Sequence, residues 1–288
     1  MRQLVVCLAM ICANVWAKEF IVYPQPEAAD DRRGEYAVKL LQLALTEAGS
    51  TAEIKPATTR MMQDRTFTEL KRGGAIDVVW AMTTPQREAD ALPIRIPIYK
   101  GLIGWRVPLV HVEHSDLLAQ VNHLTQLAAF TAGQASDWPD TDILRANDLP
   151  VATTATYSSL FQMLGKQRFD YMPRSVVEVW QEAESHRGEG LIVDQHIALH
   201  YPAAVYFFVN KNNKGLADTL SAGLEKAISN GKFNRLFYSY HARYIEQARL
   251  SQRVVLELHN PLLPKETPLH RKELWLDFPN IKSTRPDR

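Results

Sequence analysis

The segment TTPQREADAL (83–92) places a single arginine, Arg87, shortly after an apolar run, and this arginine is the first candidate for ligand chemistry. A guanidinium presents forked donors that fit a carboxylate or a phosphate through two parallel hydrogen bonds. Thr84, three residues earlier, would cap the turn that carries Arg87 or donate its hydroxyl to a ligand. From spacing alone, the alternative is a solvated helix arginine that pairs with Glu88 or with Asp90 at i+3.

The loop TAGQASDWPDT (131–141) offers a second set of candidates. Ser136 or Asp137 would cap a helix that starts near Pro139, and free amides at such a helix start favour an anion. Asp137 would repel an anion, so Ser136 is the better binding candidate of the two. Trp138 would line a cleft or, as is more usual for such a tryptophan, pack beneath the loop.

The sequence gives little support for a metal site or for catalysis. The segment HVEHSD (111–116) groups metal-capable side chains, but an extended HxxH spacing does not make them converge, and a polar strand end is the simpler interpretation. The chain contains no G-x-S-x-G, H-E-x-x-H, P-loop or G-x-G-x-x-G motif. We therefore predict no cofactor, no metal site and no enzymatic activity.

Residues 1–17, MRQLVVCLAMICANVWA, have the pattern of a secretory signal peptide. A positive start is followed by an apolar stretch too short for a settled membrane helix and by small residues before Lys18. The alternatives are a buried N-terminal strand or an uncleaved anchor. Both cysteines, Cys7 and Cys12, lie in this segment, so cleavage would leave no cysteine chemistry. We predict export to the periplasm.

The composition is that of an ordinary globular protein, with 288 residues, 46% of them apolar and 23% charged. The formal net charge of +1 and the lack of a long basic run argue against a nucleic-acid partner. After the first segment, no stretch approaches the roughly 18 apolar residues of a membrane helix. We expect a soluble monomer.

Strand-like and helix-like patterns alternate along the chain, which predicts an α/β architecture with mostly parallel sheets. The continuous apolar run 76–82 indicates a strand buried on both faces, with Trp80 in the core. The proline-rich end is expected to be irregular and to pack on a surface through Trp275 and Phe278. Predicted strands are 20–24, 51–57, 149–155, 169–173 and 204–210; predicted helices are 34–49, 59–74, 159–167, 175–188 and 214–245, the last broken at Asn230-Gly231.

Four segments in this order resemble the extracytoplasmic solute-binding proteins of family 3, the amino-acid-binding type. They are ELKRGGAIDVVWAMTTPQRE (69–88), FTAGQASDWPDTDILRAN (130–147), LFQMLGKQRFDYMPRSVVE (160–178) and YFFVNKNNKGLADTLSAGLEKAISNGKFNRLF (206–237).

The resemblance implies a two-lobed, type II periplasmic-binding-protein-like fold, in which helices flank a mixed, mostly parallel sheet in each lobe. Lobe 1 would be 18–108 plus 203–288, and lobe 2 would be 109–202. Segments 101–110 and 198–209 match the two crossing strands.

The resemblance also assigns site residues. Arg87 matches the arginine that pairs with a ligand α-carboxylate in such proteins, and Tyr23 matches an aromatic wall. Met82 stands where a hydroxyl or backbone site is usual. Ser175 replaces the acid that holds a ligand ammonium, with Arg174 beside it, which favours an anionic solute. The alternative for Arg174 is an ion pair with an acid four residues later.

The leading functional hypothesis is a periplasmic protein that closes on an amino-acid-like or organic-acid solute. It would deliver that solute to a membrane permease or report it to a membrane sensor. One alternative is an enzyme on the same fold, dehydratase-like or peptidoglycan-cleaving, with Asp170 or Glu178 as acid or base. The other is a module that acts only through protein contacts.

Overall fold

The computed structural model describes residues 20–29, 31–278 and 283–284, so the predicted signal peptide lies outside the described residues. Helices and strands alternate along most of this chain. The helices are α1 Glu35–Glu47, α2 Gln63–Arg72, α3 Pro85–Asp90, α4 Leu124–Leu127, α5 Pro139–Arg145, α6 Tyr157–Gly165, α7 Val179–Ser185, α8 Lys214–Ser229 and α9 Lys232–Ala248. The strands are β1 Phe20–Tyr23, β2 Glu53–Pro56, β3 Val78–Met82, β4 Leu92–Ile94, β5 Trp105–His111, β6 Ala132–Ala135, β7 Val151–Thr154, β8 Met172–Ser175, β9 Leu191–Val193, β10 Ile197–His200, β11 Val205–Val209, β12 Val254–Glu257 and β13 Ser283–Thr284.

The helices form for reasons that are visible in the sequence. In α1, Tyr36, Leu40 and Ala44 recur at helical spacing, and all three are buried. The break predicted at Asn230-Gly231 separates α8 from α9, and Gly231 has a φ of 77°, a left-handed conformation that glycine adopts without strain. Within the described residues, no helix is both long and apolar enough to cross a bilayer.

One small sheet has the order β3-β11-β4, with β11 antiparallel to both neighbours. Beside it, β1 and β2 form a parallel pair. The central strand β11 is buried along its whole length, as its apolar sequence requires. Helix α8 packs on α1 and on β11, so these elements share a core.

A longer sheet has the order β13-β12-β10-β5-β8, and β9 also pairs with β5. The strands β5 and β10 are antiparallel, with His200 opposite Trp105, which is the relation expected of the two predicted crossing strands. The sheets are therefore mixed: β10 and β12 are parallel, whereas β5 is antiparallel to β8, β9 and β10.

The segment 131–141, predicted as a loop, contains the strand β6 and the start of α5. β6 pairs in parallel with β7, and a further bridge joins Ala132 to Tyr171. The pattern hid this strand because Gly133 and Gln134 interrupt it. Gly133 is required by close packing, since a Cβ there would collide with the ring of Phe169.

The C-terminal segment after α9 packs on the long sheet, in agreement with the prediction that it covers a surface. Trp275 lies against Gly101, and its indole N–H donates to the carbonyl of Pro268 at 2.9 Å. Phe278 meets Trp105 edge to face, with ring centroids 4.9 Å apart. The strand β12, which follows α9 in the chain, pairs with β10 and extends the long sheet. The sequence did not predict this pairing.

Candidate functional site

A cavity of about 510 Å³ lies among the start of α1, the end of β3, the first residues of α5 and the strands β5 and β8. We call it the cleft. A volume of this size falls in the range of small-molecule binding sites. Five aromatic side chains form much of its wall: Tyr23, Trp80, Tyr99, Trp138 and Tyr240.

Trp80 lies in the cleft wall, although its place in an apolar strand predicted a core position. Its ring centroid is 5.9 Å from that of Tyr23, and the planes are tilted by 40°. Gly34 lies beneath the indole, since a Cβ at this position would be 2.9 Å from Cζ2 of Trp80. Because Gly34 has no side chain, the indole of Trp80 can pack directly against the backbone at this position.

Arg174 stands on the floor of the cleft and is paired with two carboxylates. Its Nε and one terminal nitrogen each donate at 2.7 Å to Glu182, and the same terminal nitrogen is 3.1 Å from Glu178. The hydroxyl of Tyr157 donates to Glu182 at 2.9 Å. The ion pair at i+4, one of the two interpretations of Arg174, is thus present, and Arg174 is only 1% exposed.

Arg106, on the neighbouring strand β5, extends this network of ion pairs. Its guanidinium is 2.7 Å from Asp140 and 3.7 Å from Glu178. Tyr201 donates its hydroxyl to the same Asp140 carboxylate. The Nε of Arg106 is buried with no acceptor among the described residues.

Arg33 forms the opposite rim, at the beginning of α1. It contacts Asp31 at 2.8 Å and Glu27 at 3.0 Å. Its guanidinium lies 4.2 Å above the ring of Tyr157 and 5.4 Å from that of Trp138. The rim that carries α1 therefore touches the side of the cleft built from α5 and α6 through a cation–π contact.

The acidic and basic side chains around the cleft are not equal in number. We define the cleft charge cluster as Glu27, Asp31, Arg33, Arg106, Asp140, Arg174, Glu178 and Glu182. This cluster thus has five carboxylates and three guanidiniums, with Glu182 behind the lining. The cleft lining adds Glu35 and Lys39, one charge of each sign, so an excess of negative charge remains. Burial raises the pKa of Glu27, against the attraction of Arg33, because its charged form lacks full compensation.

Arg87 is buried at the beginning of α3 and is not among the described residues that line the cleft. Its terminal nitrogens donate to the carbonyl of Met82 and to Oε1 of Gln63, both at 2.9 Å, and more weakly to the carbonyl of Asp137 at 3.4 Å. Burial lowers the pKa of Arg87 to about 10, so it stays protonated at neutral pH. Thr84 caps α3 through its hydroxyl, which accepts from the amide of Arg87, the first of the two roles considered for it.

The surface ion pair considered for Arg87 is not what the structure contains. Glu88 bonds to Arg95, and Asp90 is 2.5 Å from Lys71. Arg87 is the buried position of α3, and its guanidinium turns inward to the carbonyl of Met82 and to Gln63.

The remaining predicted residues occupy different places. Ser136 is exposed, and its backbone amide donates to the carbonyl of Thr154 at 3.0 Å. Ser175 is fully buried in β8, and its hydroxyl donates to the carbonyl of Leu102 at 3.3 Å. Helix α5 begins at Pro139 as expected, but neither Ser136 nor Asp137 caps it: its N-cap is Trp138, without a side-chain cap bond in the described chain.

The structure thus brings Tyr23, Met82, Trp138 and Arg174 together on one cavity and leaves Thr84, Arg87, Ser136 and Ser175 outside its lining. Sequence reasoning missed Arg106 and Asp140. Arg106 had a usable signal, since it is a single charge inside the apolar run GLIGWRVPLV (101–110). A charged residue in a buried strand needs a partner.

The polar segment 111–116 is held by hydrogen bonds to Gln167. Among the described residues, no group of three or more His, Cys, Asp or Glu side chains is arranged to hold a metal ion. Instead, Gln167 bridges this segment, with its amide donating to Glu113 at 2.8 Å and its carbonyl oxygen 3.0 Å from Nε2 of His114.

No family model and no curated protein sequence matches this chain. Its fold does match solved structures. An ancestral arginine-binding protein bound to arginine aligns with a TM-score of 0.60 at 15% identity, over 78% of this chain and 99% of its own. The substrate-binding protein of an amino-acid ABC transporter aligns with a TM-score of 0.58 at 13% identity, over 78% and 100%.

A histidine kinase sensor domain with similarity to periplasmic binding proteins aligns with a TM-score of 0.59 at 16% identity, over 78% of this chain and 96% of its own. At such identities the likeness establishes the fold alone. The predicted two-lobed, periplasmic-binding-protein-like α/β fold is therefore confirmed.

Proposed function

We propose that this chain is an exported, periplasmic solute-binding protein that encloses a small solute in the cleft between two lobes. The lobes are those expected from the sequence, 18–108 plus 203–288 and 109–202. The observation that carries the proposal is the cavity of about 510 Å³, whose walls come from both sets of residues. Arg33 and Trp138 come one from each set and are already 5.4 Å apart, so a solute that contacts both walls favours the closed form.

The charge of the solute follows from the cleft charge cluster. The sequence favoured an anion held by Arg87 and Arg174, but Arg174 is occupied by two carboxylates and Arg87 lies outside the lining. A buried excess of carboxylates is relieved by a cation or by protonation of one acid. The aromatic walls also suit a cation, which is attracted to ring faces. We therefore propose a solute that carries an ammonium or guanidinium group.

Two buried donors add a second requirement. The Nε of Arg106 and the indole N–H of Trp138 lack acceptors among the described residues, and both side chains line the cleft. Buried donors without partners are costly, and both atoms are shielded from solvent here, so a solute oxygen gains affinity from them only where closure around it turns them toward the cleft. The solute is then amino-acid-like, with a positive group toward Glu27 and an acceptor toward Arg106.

Arg87 contributes to closure rather than to direct recognition. It lies on the α3 side of the cleft, and its guanidinium reaches the carbonyl of Asp137 on the α5 side at 3.4 Å. This contact is made only when the two sides approach each other.

Binding without turnover is the form of the proposal that the side chains favour. A general acid or base needs a carboxylate that can reach a substrate proton. Asp170 instead accepts from the amide of Thr131 at 2.6 Å, and Glu178 is shared between Arg106 and Arg174. Delivery to a permease and reporting to a sensor both follow from such a cleft, and the proposal includes either.

A thermal-shift screen tests the proposal. Lysine, arginine and agmatine are compared with leucine, glutamate and succinate on the chain without its first 17 residues. We expect the cationic set to raise Tm, since ligands that bind the native state stabilise it. Stabilisation by the acids alone would contradict the assigned charge, and no response to any solute would contradict the binding function.

The variant Glu27→Gln sharpens this test, with Glu246→Gln as its control, because Glu246 is exposed on α9. Removing one negative charge from the cleft should weaken binding of a cationic solute by about tenfold, which corresponds to roughly 1.4 kcal/mol. The control should bind as the unmodified protein does. Equal affinities of both variants would remove Glu27 from the site.

A further inference from the structure

The carboxylate of Asp137 lies where the two sides of the cleft meet, and it is shielded from water. Asp137 belongs to the turn between β6 and α5. The residue as a whole is half-buried, but neither side-chain oxygen is exposed to solvent or has a partner at hydrogen-bonding geometry among the described residues. Its carbonyl oxygen accepts from Arg87 at 3.4 Å. Buried carboxylates are normally paired, so this one is costly to keep charged.

Three charged groups face Asp137 from the opposite side of the cleft. Asp64, in the first turn of α2, and Glu27, before α1, repel its carboxylate, whereas Arg87 on α3 attracts it. All three belong to the proposed lobe 1, and Asp137 belongs to the proposed lobe 2. The electrostatic environment of Asp137 therefore depends on how closely the two lobes approach each other.

The side of the cleft that carries Asp137 supplies no compensation from its own helix. Asp140 and Asp142 follow on α5 and are acids themselves; the first is 2.7 Å from Arg106, and the second is 69% exposed. Burial, and then repulsion from Asp64, raises the pKa of Asp137. The charge of Arg87 and the nearby backbone amides offset only part of this rise.

Opening of the cleft would reverse these effects. The carboxylate of Asp137 would regain water and move away from Asp64 and Glu27, so its pKa would return toward the ordinary value of about 3.9. The closed form thus binds this proton more tightly than the open form does. By linkage, a fall in pH from neutral through the raised pKa favours the closed form, and a rise in pH favours the open form.

We propose that closure of the cleft takes up a proton at Asp137, so that acid brings the two lobes together and strengthens solute capture. The inference rests on the solute-binding function proposed above and adds its regulation. In an acidified compartment the protein would hold its solute, and near neutral pH it would release the solute more readily.

The attractive contact at the other rim does not change over this range of pH. The guanidinium of Arg33 lies 4.2 Å above the ring of Tyr157 and stays protonated, since an arginine in a protein keeps its charge. The cation–π contact therefore favours closure at every pH considered, whereas the opposition from Asp137 is present only when its carboxylate is charged.

Energy transfer between two dyes tests the effect of pH on closure without any solute. The chain without its first 17 residues has no cysteine, so Asp218→Cys on α8 and Gln162→Cys on α6 can be labelled specifically, and both positions are exposed. We expect the ratio of closed to open protein to rise by up to tenfold for each unit that the pH falls between the two pKa values of Asp137, because one proton is taken up.

Two variants decide whether Asp137 is the cause. Asp137→Asn should stay closed from pH 7.5 to pH 4.5, whereas Asp142→Asn, the exposed control on α5, should respond to pH as the unmodified protein does. Distances that do not change with pH in the unmodified protein would overturn the proposal. So would a pH response that persists unchanged in Asp137→Asn.

Calorimetry with lysine separates this inference from the binding function. Titrations in two buffers of different ionisation enthalpy count the protons taken up, and the difference between the protein and Asp137→Asn isolates Asp137, because Glu27 titrates in both. We expect the protein to take up more protons than the variant at pH 5. Binding with equal uptake in both would overturn this inference and leave the binding function standing. Absence of binding, with lobe distances that still follow pH through Asp137, would do the reverse.

Discussion

The carboxylate of Glu182 receives two hydrogen bonds of 2.7 Å from the guanidinium of Arg174, one from Nε and one from a terminal nitrogen. Both residues are almost completely buried, and the hydroxyl of Tyr157 completes the carboxylate's partners. This bidentate pair fixes α7 against β8 at the floor of the cleft.

Removal of one member of this pair should be costly. Glu182→Leu leaves Arg174 buried with less compensation, so we expect a loss of about 3–5 kcal/mol in the free energy of unfolding. The matched control is Glu184→Leu, two residues away on the same helix, where the carboxylate is 66% exposed and pairs with Arg187. We expect it to change stability by less than about 0.5 kcal/mol. Urea denaturation measures both, and similar losses would contradict the role given to the pair.

The carboxylate of Asp137 should make stability depend on pH. Burial is the main cause that raises the pKa of Asp137 in the folded protein, and repulsion from Asp64 is the next. The folded state therefore binds this proton more tightly than the unfolded chain does. Stability falls as pH rises from the unfolded pKa of about 3.9 through the raised folded value, and the loss is complete at neutral pH.

Asp137→Asn should therefore raise Tm at pH 7, and the gain should shrink as pH falls through the raised folded pKa and be lost below about 4. The control is Asp142→Asn on α5, where the side chain is 69% exposed. Thermal melts from pH 3 to pH 7 measure the difference. A gain that is the same at both ends of this range would show that the charge of Asp137 is not its cause.

Gly34→Ala should disturb the cleft and leave the fold intact. The new Cβ would stand 2.9 Å from Cζ2 of Trp80 and would push the indole into the cavity. The backbone at this position is right-handed, with a φ of −81°, so alanine itself is not strained there. We expect the emission of Trp80 to shift and solute affinity to fall about tenfold, or roughly 1.4 kcal/mol.

The control for this variant is Gly215→Ala in α8, where a Cβ meets no atom within 4 Å. Alanine in a helix is favoured over glycine, so stability should stay the same or rise slightly. If both variants bind solute equally well, the position of Trp80 does not govern the cleft.

Sequence patterns predicted the elements well because amphipathic spacing and apolar runs are local properties. The strand β3 and the helices α1 and α8 are clear examples, since each carries its burial pattern within its own residues. The alternation of these elements predicted an α/β architecture, whereas the two-lobed fold was predicted from the resemblance of four segments to a known family.

The site was predicted less completely because its chemistry is not local. Arg106 meets Asp140 across a sheet and a helix start, 34 positions apart in the chain, and no spacing rule connects them. The direction of Arg87 also depends on tertiary contacts, since Gln63 on α2 supplies one of its acceptors.

Asn147 should prove important for the C-terminal segment. Its amide nitrogen donates to the carbonyl of His259 at 2.8 Å, and its oxygen accepts from the amide of the same residue at 2.9 Å. Asn147→Ala removes both bonds, so we expect a loss of about 1–3 kcal/mol. Hydrogen exchange should also accelerate at the amide of His259. The control Asn122→Ala removes only an exposed bond to Gln120, and exchange at His259 should not respond to it.

The flanking of β5 and β10 by further strands bears on how fast a solute can enter. A hinge made of two isolated strands bends easily, whereas here β12 and β8 hold the two strands on either side. Each opening must deform this whole ladder, so the step that opens the cleft is expected to be slow. The observed association rate should then reach a plateau as solute concentration rises, because opening of the cleft, and not diffusional encounter with the solute, is rate-limiting. The same stiffness should give a bound solute a long residence time.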